Sequence, residues 1–274
     1  MADHRPIGVL DSGLGGLTAL RELIRLMPGE DFVYFGDTGR VPYGTRSAET
    51  ILKFTRQDIR FLTSFDIKAL VVACGTISSA VLPALEGTYG FPLIGVVGPA
   101  AEAAVKATRN GCIGLMATSA SVRSGAYERA LAATSERTAE GGCPCSLTSV
   151  SCPLLVPLIE NGKISSHDPI LQAVLTEYLE PLLAAGVDTI ILGCTHYPHI
   201  TEALSALAPG VTLIDAGRET ALRCASRLAC APSENTGKTR FFVSDTVENF
   251  VQAAERFLGQ PLQSPAERIE IEEF

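Results

Sequence analysis

Ala69-Leu70-Val71-Val72-Ala73-Cys74-Gly75-Thr76 and Thr189-Ile190-Ile191-Leu192-Gly193-Cys194-Thr195-His196 decide how this chain is read. Each is a short, unbroken apolar run that delivers a thiol into small and hydroxylated residues. A run without polar alternation reads as a strand buried on both faces, the habit of parallel sheets. In open parallel sheets, ligands bind outside the carboxyl ends of the strands. Two thiols delivered there can face one substrate from opposite sides. That arrangement suits removal of a proton from one face of a carbon and its return to the other. A single cysteine reads first as a small buried hydrophobe; the shared context of these two gives them a chemical reading.

Working outward, apolar stretches at 7–10, 31–35, 68–73, 93–97, 112–116, 189–192, 211–214 and 241–243 alternate with helical periodicity. The helical stretches are 17–26, 48–64, 78–85, 100–108, 124–133, 168–184, 200–207, 219–228 and 247–258. Such alternation predicts an α/β fold with mainly parallel sheets flanked by helices. A weak internal echo points to two similar lobes. Ile7-Gly8-Val9-Leu10-Asp11 resembles Val211-Thr212-Leu213-Ile214-Asp215, and Ile94-Gly95-Val96-Val97 resembles Ile113-Gly114-Leu115-Met116. With the thiol pair, three strand ends recur, which places the active site in a cleft between the lobes. The stretch 233–238 reads as a surface loop and the acidic end, 269–274, as a solvated tail.

Composition narrows the function classes. A length of 274 residues allows one large domain or two medium ones, and 46% hydrophobic with 19% charged residues is ordinary for a globular α/β chain. A net charge of −8 and the absence of Trp disfavour nucleic-acid binding. No apolar run has the length of a membrane span and the start lacks a signal-peptide core, so a cytoplasmic protein with eight thiols rather than disulfides is expected.

Asp11-Ser12-Gly13-Leu14-Gly15-Gly16 joins a strand to a helix, and its amides suit an anion such as a carboxylate. Thr18 stands where a dinucleotide motif has its third glycine, and the P-loop spacing is missing. The plainer reading is a glycine-rich turn capped by Asp11. Gly36 to Gly44 forms a second strand-end loop, with Asp37, Thr38 and Tyr43 as polar groups. His196 follows Cys194 by two residues and can exchange a proton with it; Asp11 can serve Cys74 if their loops converge. His4, His167 and His199 have no comparable context. Glu160 ends a proline-bracketed apolar stretch, and reads either as an acid aimed into a cleft or as an exposed helix-end glutamate. Cys143-Pro144-Cys145 with Cys152 lacks a second C-x-x-C and a spaced histidine pair, so no metal is expected. Cys112, Cys224 and Cys230 read as packing residues.

Asp11-Ser12-Gly13, Val41-Pro42-Tyr43-Gly44, Cys74 with Thr76, and Gly193-Cys194-Thr195-His196-Tyr197-Pro198, in this order and spacing, span most of the chain. Together they resemble the glutamate racemases of the cofactor-independent aspartate/glutamate racemase superfamily, with Gly-Cys-Thr-His-Tyr-Pro the most specific piece. The resemblance implies interconversion of L- and D-glutamate, feeding peptidoglycan synthesis. It further implies catalysis without PLP, metal or nucleotide, and a homodimer. It puts the catalytic thiols on Cys74 and Cys194, their assistants on Asp11 and His196, and an auxiliary carboxylate on Glu160. Substrate contacts fall on Asp11, Ser12, Tyr43, Gly44, Gly75, Thr76, Thr118, Thr195 and His196. The implied lobes are residues 1–97 plus 209–274, and 98–208. Because the chain begins ten residues before Asp11, it is expected to lack the extension linked in some members to activation by a peptidoglycan precursor.

Two positions depart from the family. Gly75 stands where Asn is usual, and Glu is common near Gly98. Gly75 is expected to open space beside Cys74 and to drop a contact worth about 1.5–3 kcal/mol to a charged group. Three other readings stay open: a racemase for another amino acid such as aspartate, a non-catalytic relative that binds an acidic amino acid, and a redox dithiol.

Overall fold

The computed structural model describes residues 3–138, 145–228 and 236–274. The chain opens with β1 (Ile7–Asp11), α1 (Gly16–Leu26), β2 (Phe32–Gly36), α2 (Ala48–Thr63), β3 (Ala69–Val72), α3 (Gly75–Ala80), β4 (Leu93–Gly95) and α4 (Val97–Ala107). It continues with β5 (Cys112–Ala117), α5 (Ser119–Arg123), α6 (Ala126–Thr138), β6 (Ser146–Ser151), α7 (Leu155–Glu160), α8 (Pro169–Ala184), β7 (Thr189–Leu192), α9 (Thr201–Leu207) and β8 (Thr212–Asp215). It closes with α10 (Ala216–Arg227), β9 (Thr239–Val243), α11 (Val247–Leu258) and β10 (Ala266–Arg268).

These strands form two sheets, in the orders β10-β9-β2-β1-β3-β4 and β6-β5-β7-β8, with every described pairing parallel. The predicted α/β class and the two-sheet architecture are thus observed. β1, β2, β3 and β7 are buried at every residue, as their unbroken apolar runs require. Polar side chains start several helices by accepting their free amides: Ser47 from Thr50, Thr118 from Ser121, Asp168 from Leu171 and Asp215 from Arg218.

The internal echo maps onto neighbouring strands. β3, the first thiol strand, lies between β1 and β4; β7, the second, lies between β8 and β5. The echoed pairs are β1 with β8 and β4 with β5, so the spatial order repeats. Along the chain the order reverses, since β8 and β7 follow β5 while β1 and β3 precede β4.

Several local expectations shift. The helix expected at 78–85 begins at Gly75, directly after Cys74, and gives way to a 3-10 turn at Leu82–Ala84 that holds Pro83. β6 is half-exposed and polar (Ser-Leu-Thr-Ser-Val-Ser), and three-residue β10 sits at a sheet edge, so neither carries an apolar run to announce it. β8 lies beyond residue 209 yet pairs with β7, which puts residues 212–215 in the second sheet. The acidic tail is docked rather than solvated. Ile271 is buried, the Phe274 ring packs 5.2 Å from Phe61, and Arg60 donates to the Phe274 carbonyl. Two apolar residues among the glutamates find the aromatic face of α2. Of the loop expected at 233–238, residues 233–235 lie outside the described residues. Gly237 is tied back through its amide to Pro28, and Lys238 through its amide to Asp31. Cys143 and Cys230 also lie outside the described residues. Among those described, no helix is long and apolar enough to cross a membrane.

Candidate active site

The carboxyl ends of β1, β3, β5 and β7 converge where the two sheets face one another. β3 ends at Val72, and after Ala73 the extended backbone of Cys74 starts α3, with the residue 5% exposed. β7 ends at Leu192, and after Gly193 it places Cys194 in the following turn, 8% exposed. The two turns touch. A Cβ built on Gly75 would overlap the Gly193 carbonyl oxygen and lie 3.8 Å from Cys194 Cα. The expectation that Gly75 opens space is therefore corrected: the Gly193 backbone occupies the room that a side chain at 75 would need.

The two thiols have different surroundings. Cys74 Sγ is 3.4 Å from Ser12 Oγ. Burial pushes the Cys74 thiol up to about 12, with the nearby Asp11 carboxylate adding to the rise and Ser12 opposing it. Cys74 is thus a neutral thiol at pH 7. Cys194 Sγ is 3.7 Å from His196 Nδ1, and His196 Nε2 is 2.9 Å from Glu160 Oε1. Burial alone would lower the imidazole, but the Cys194 and Glu160 contacts outweigh it and raise it to about 10. A thiol, an imidazole and a carboxylate therefore form one hydrogen-bonded chain.

Asp11 sits at the end of β1, where Oδ1 accepts the Gly13 amide. Its buried Oδ2 has no hydrogen-bond partner among the described residues. Burial raises its pKa, while the His196 charge and the Gly13 and Gly16 amides pull it down. Ser12 is within hydrogen-bond distance of the Cys74 sulfur, and the Asp11 carboxylate acts on it through its charge. Glu160 is the last residue of α7, and its carboxylate lies 2.9 Å from His196 Nε2.

The remaining predicted contacts lie along the same seam. Thr76 Oγ1 is 2.9 Å from Thr118 Oγ1, joining α3 to the cap of α5. Gly44 accepts the Ala120 amide at 3.1 Å. Gly15 faces Thr195 and the His196 ring so closely that a Cβ there would run into both. Tyr43 is the exception. Its hydroxyl donates to Asp37 and, at 3.2 Å, to Asp58, inside a buried network with Arg40. With its phenol turned away, only its backbone is left to serve a ligand.

Sequence reasoning missed several supporting groups. Phe257 of α11 sets its ring edge-on to His196 at 5.3 Å and to His199 at 4.4 Å. Arg256 donates to the Glu160 carbonyl at 3.4 Å. His199 faces Thr18 Oγ1 at 3.2 Å, and burial with neighbouring positive charge lowers it to about 4. Ser79 donates to Ser121 across the seam at 3.0 Å. The amphipathic pattern of α11 announced a packed face, but nothing in the sequence said that the face would reach the thiol-bearing turn.

Comparison with known proteins finds relatives along nearly the whole chain. Residues 8–224 match the Asp/Glu/hydantoin racemase family. A glutamate racemase from Geobacter metallireducens is 40% identical over 263 residues, covering 94% of each chain. One from Neisseria meningitidis is 41% identical over 265 residues, covering 95% of each. The crystal structure of a glutamate racemase from Bacillus anthracis superposes with a TM-score of 0.89 at 38% identity, over 97% of both chains. That of Francisella tularensis glutamate racemase in complex with D-glutamate gives 0.89 at 33% identity, over 99% of both. A match over most of the chain, with relatives this similar along their whole length, establishes that the chain belongs to the Asp/Glu/hydantoin racemase family.

Proposed function

We propose that this protein is a glutamate racemase that interconverts L- and D-glutamate by proton transfer at Cα between Cys74 and Cys194, supplying D-glutamate for peptidoglycan synthesis. The observation that carries the reading is the placement of two buried thiols at the ends of equivalent strands in two facing sheets, each with its own proton partner. The similarity to glutamate racemases along the whole chain, one of them solved with D-glutamate, supports the substrate. Family membership supports a homodimer, which light scattering on the purified protein reads directly.

In the proposed mechanism the amino acid lies between the two turns. Its α-carboxylate takes hydrogen bonds from hydroxyls among Ser12, Thr76, Thr118 and Thr195, and from backbone amides around Gly44 and Gly75. Cys74 enters as the thiol and is the proton donor in one direction. The Cys194–His196–Glu160 chain receives the α-proton, with Glu160 holding the imidazole towards the sulfur. The roles reverse for the other enantiomer. Preorganised donors stabilise the charge that develops on the carboxylate as the proton leaves, and burial of the site strengthens them. We read the first lobe as residues 1–97 with the closing segment, and the second lobe, which takes in β8 through its pairing with β7, as inserted within it.

The test is to incubate fully reduced protein with L-glutamate and with D-glutamate, without added cofactor, and to follow circular dichroism, with aspartate in parallel. Decay of both glutamate signals to zero is expected. Decay with aspartate alone would move the substrate; no decay with either would refute the reading.

A further inference from the structure

We infer that Asp58 is a positioning residue held as a neutral carboxylic acid, and that its proton fixes the Tyr43–Gly44 turn to α2. The functional half of the inference rests on the reading of Gly44 as a substrate contact. Asp37 and Asp58 are both fully buried and share one cation. Arg40 Nε donates to Asp37 Oδ2 and Nη2 to Asp58 Oδ1, each at 2.6 Å. Arg40 is itself pinned, since Nη1 donates to Gln57 at 2.7 Å and the guanidinium lies 4.3 Å over the Phe54 ring. Among the described residues no other cation forms an ion pair with either carboxyl group. Two ionised carboxylates on one guanidinium would leave a buried negative charge unbalanced, which is costly.

Counting protons shows which group carries the missing one. Asp37 accepts Ser244 Oγ at 2.7 Å on Oδ1, and both Arg40 and the Tyr43 hydroxyl on Oδ2. The Ser244 oxygen also accepts the Gly39 amide at 2.9 Å, which turns its own proton towards Asp37. Three donors converging on two oxygens is the pattern of an ionised carboxylate. The Tyr43 hydroxyl has one proton to share between the carboxyl groups, and Asp37 is the nearer. With Asp37 taking it, Tyr43 Oη and Asp58 Oδ2, 3.2 Å apart, need a proton on Asp58 to bond. Burial and the Asp37 charge push Asp58 well above the carboxylate range, against the pull of Arg40 and Tyr43. The next residue of the turn meets the second sheet's side of the seam. The Gly44 carbonyl accepts the Ala120 amide at 3.1 Å, and a Cβ at 44 would lie 3.1 Å from Thr118 Cβ. The turn is thus held to α2 through Tyr43 and to α5 through Gly44.

The proton is read by infrared difference spectroscopy at neutral pH, wild type minus Asp58→Asn, with carboxyl-labelled aspartate to identify the band. A protonated-carboxyl C=O band that shifts with the label is expected in wild type and missing from the variant. Asn matches the neutral acid, because its carbonyl accepts from Arg40 while its amide donates to Tyr43. Asp58→Asn should therefore keep KM and kcat for glutamate within about twofold, while Asp58→Ala raises KM about tenfold. A displaced substrate contact weakens ground-state and transition-state binding alike, so kcat moves less than KM. If Asp58→Ala does not fold, Asp58→Leu, which fills more of the space without a donor, takes its place. Lack of the acid band, a KM in Asp58→Asn as high as in Asp58→Ala, or a lowered Tm in Asp58→Ala with KM unchanged would each overturn the inference. A wild-type protein that shows the band but does not racemise glutamate refutes the proposed function and leaves the proton on Asp58 standing.

Discussion

Glu160→Gln isolates the electrostatic support of the Cys194 side. The variant keeps the side chain's size and removes the charge that faces His196 Nε2 at 2.9 Å. His196 is held at about 10 by Cys194 and Glu160 against the effect of burial. A hydrogen bond to a charged group is worth about 1.5–3 kcal/mol. The Glu160 side chain is 41% exposed, so solvent screening places it at the lower end. The imidazole should therefore fall from its raised position. The same energy, expressed in the transition state, is about a tenfold loss of kcat/KM. Because the enantiomers have equal free energies, the loss must be the same for L- and D-glutamate, while the two kcat values are free to diverge. The sign for stability follows. A histidine raised above its unfolded value stabilises fully below about 6.5, and that stabilisation is lost as pH rises through about 10. In the variant the loss comes earlier. The assay is an NMR titration of the His196 imidazole in both proteins, with kcat/KM measured in each direction. An unmoved titration and unchanged kcat/KM would refute the claim that Glu160 acts through His196.

Other consequences are independent of that chain. Arg40→Gln leaves Asp37 and Asp58 facing each other in the interior without their shared cation. Denaturant melts should show a loss of about 3–5 kcal/mol, with KM raised through the displaced Tyr43–Gly44 backbone. Deleting residues 271–274 strips the buried Ile271 and the Phe274 ring from α2. It should cost about 2–4 kcal/mol and lower Tm by roughly 5–10 °C without changing the pH profile of turnover. His199 is lowered to about 4, so its contribution to stability is present above about 6.5 and lost as pH falls through about 4. His199→Asn should flatten the acid limb of the stability curve relative to wild type.

What the sequence disclosed follows from where the information is local. The unbroken runs ending at Cys74 and Cys194 are strands because no residue in them is suited to water, and both thiols lie at the strand ends for that reason. β6 and β10 were silent because an edge strand need not be apolar on both faces. The contact of Ser12 with Cys74, and of Glu160 with His196, joins residues separated by 62 and 36 positions and depends on how the sheets pack. Gly75 is the sharpest instance. Read alone it is a lost side chain; in the fold it is the space taken by the Gly193 carbonyl. Tyr43 shows the converse, since a polar side chain in a strand-end loop belongs to the buried Asp37–Arg40–Asp58 network.

The central claim is that two separate thiols, one on each face, handle the α-proton. It is tested most directly by the position of deuterium at low conversion. L-glutamate is incubated in D2O with the reduced protein, and α-protons of both enantiomers are counted by NMR or mass spectrometry after chiral separation. Two monoprotic bases on opposite faces predict that newly formed D-glutamate carries deuterium at Cα, while unreacted L-glutamate keeps its proton. The reverse experiment should give the mirror result. L-glutamate that gains deuterium as fast as D-glutamate appears, or product that retains the substrate's proton, would contradict the account.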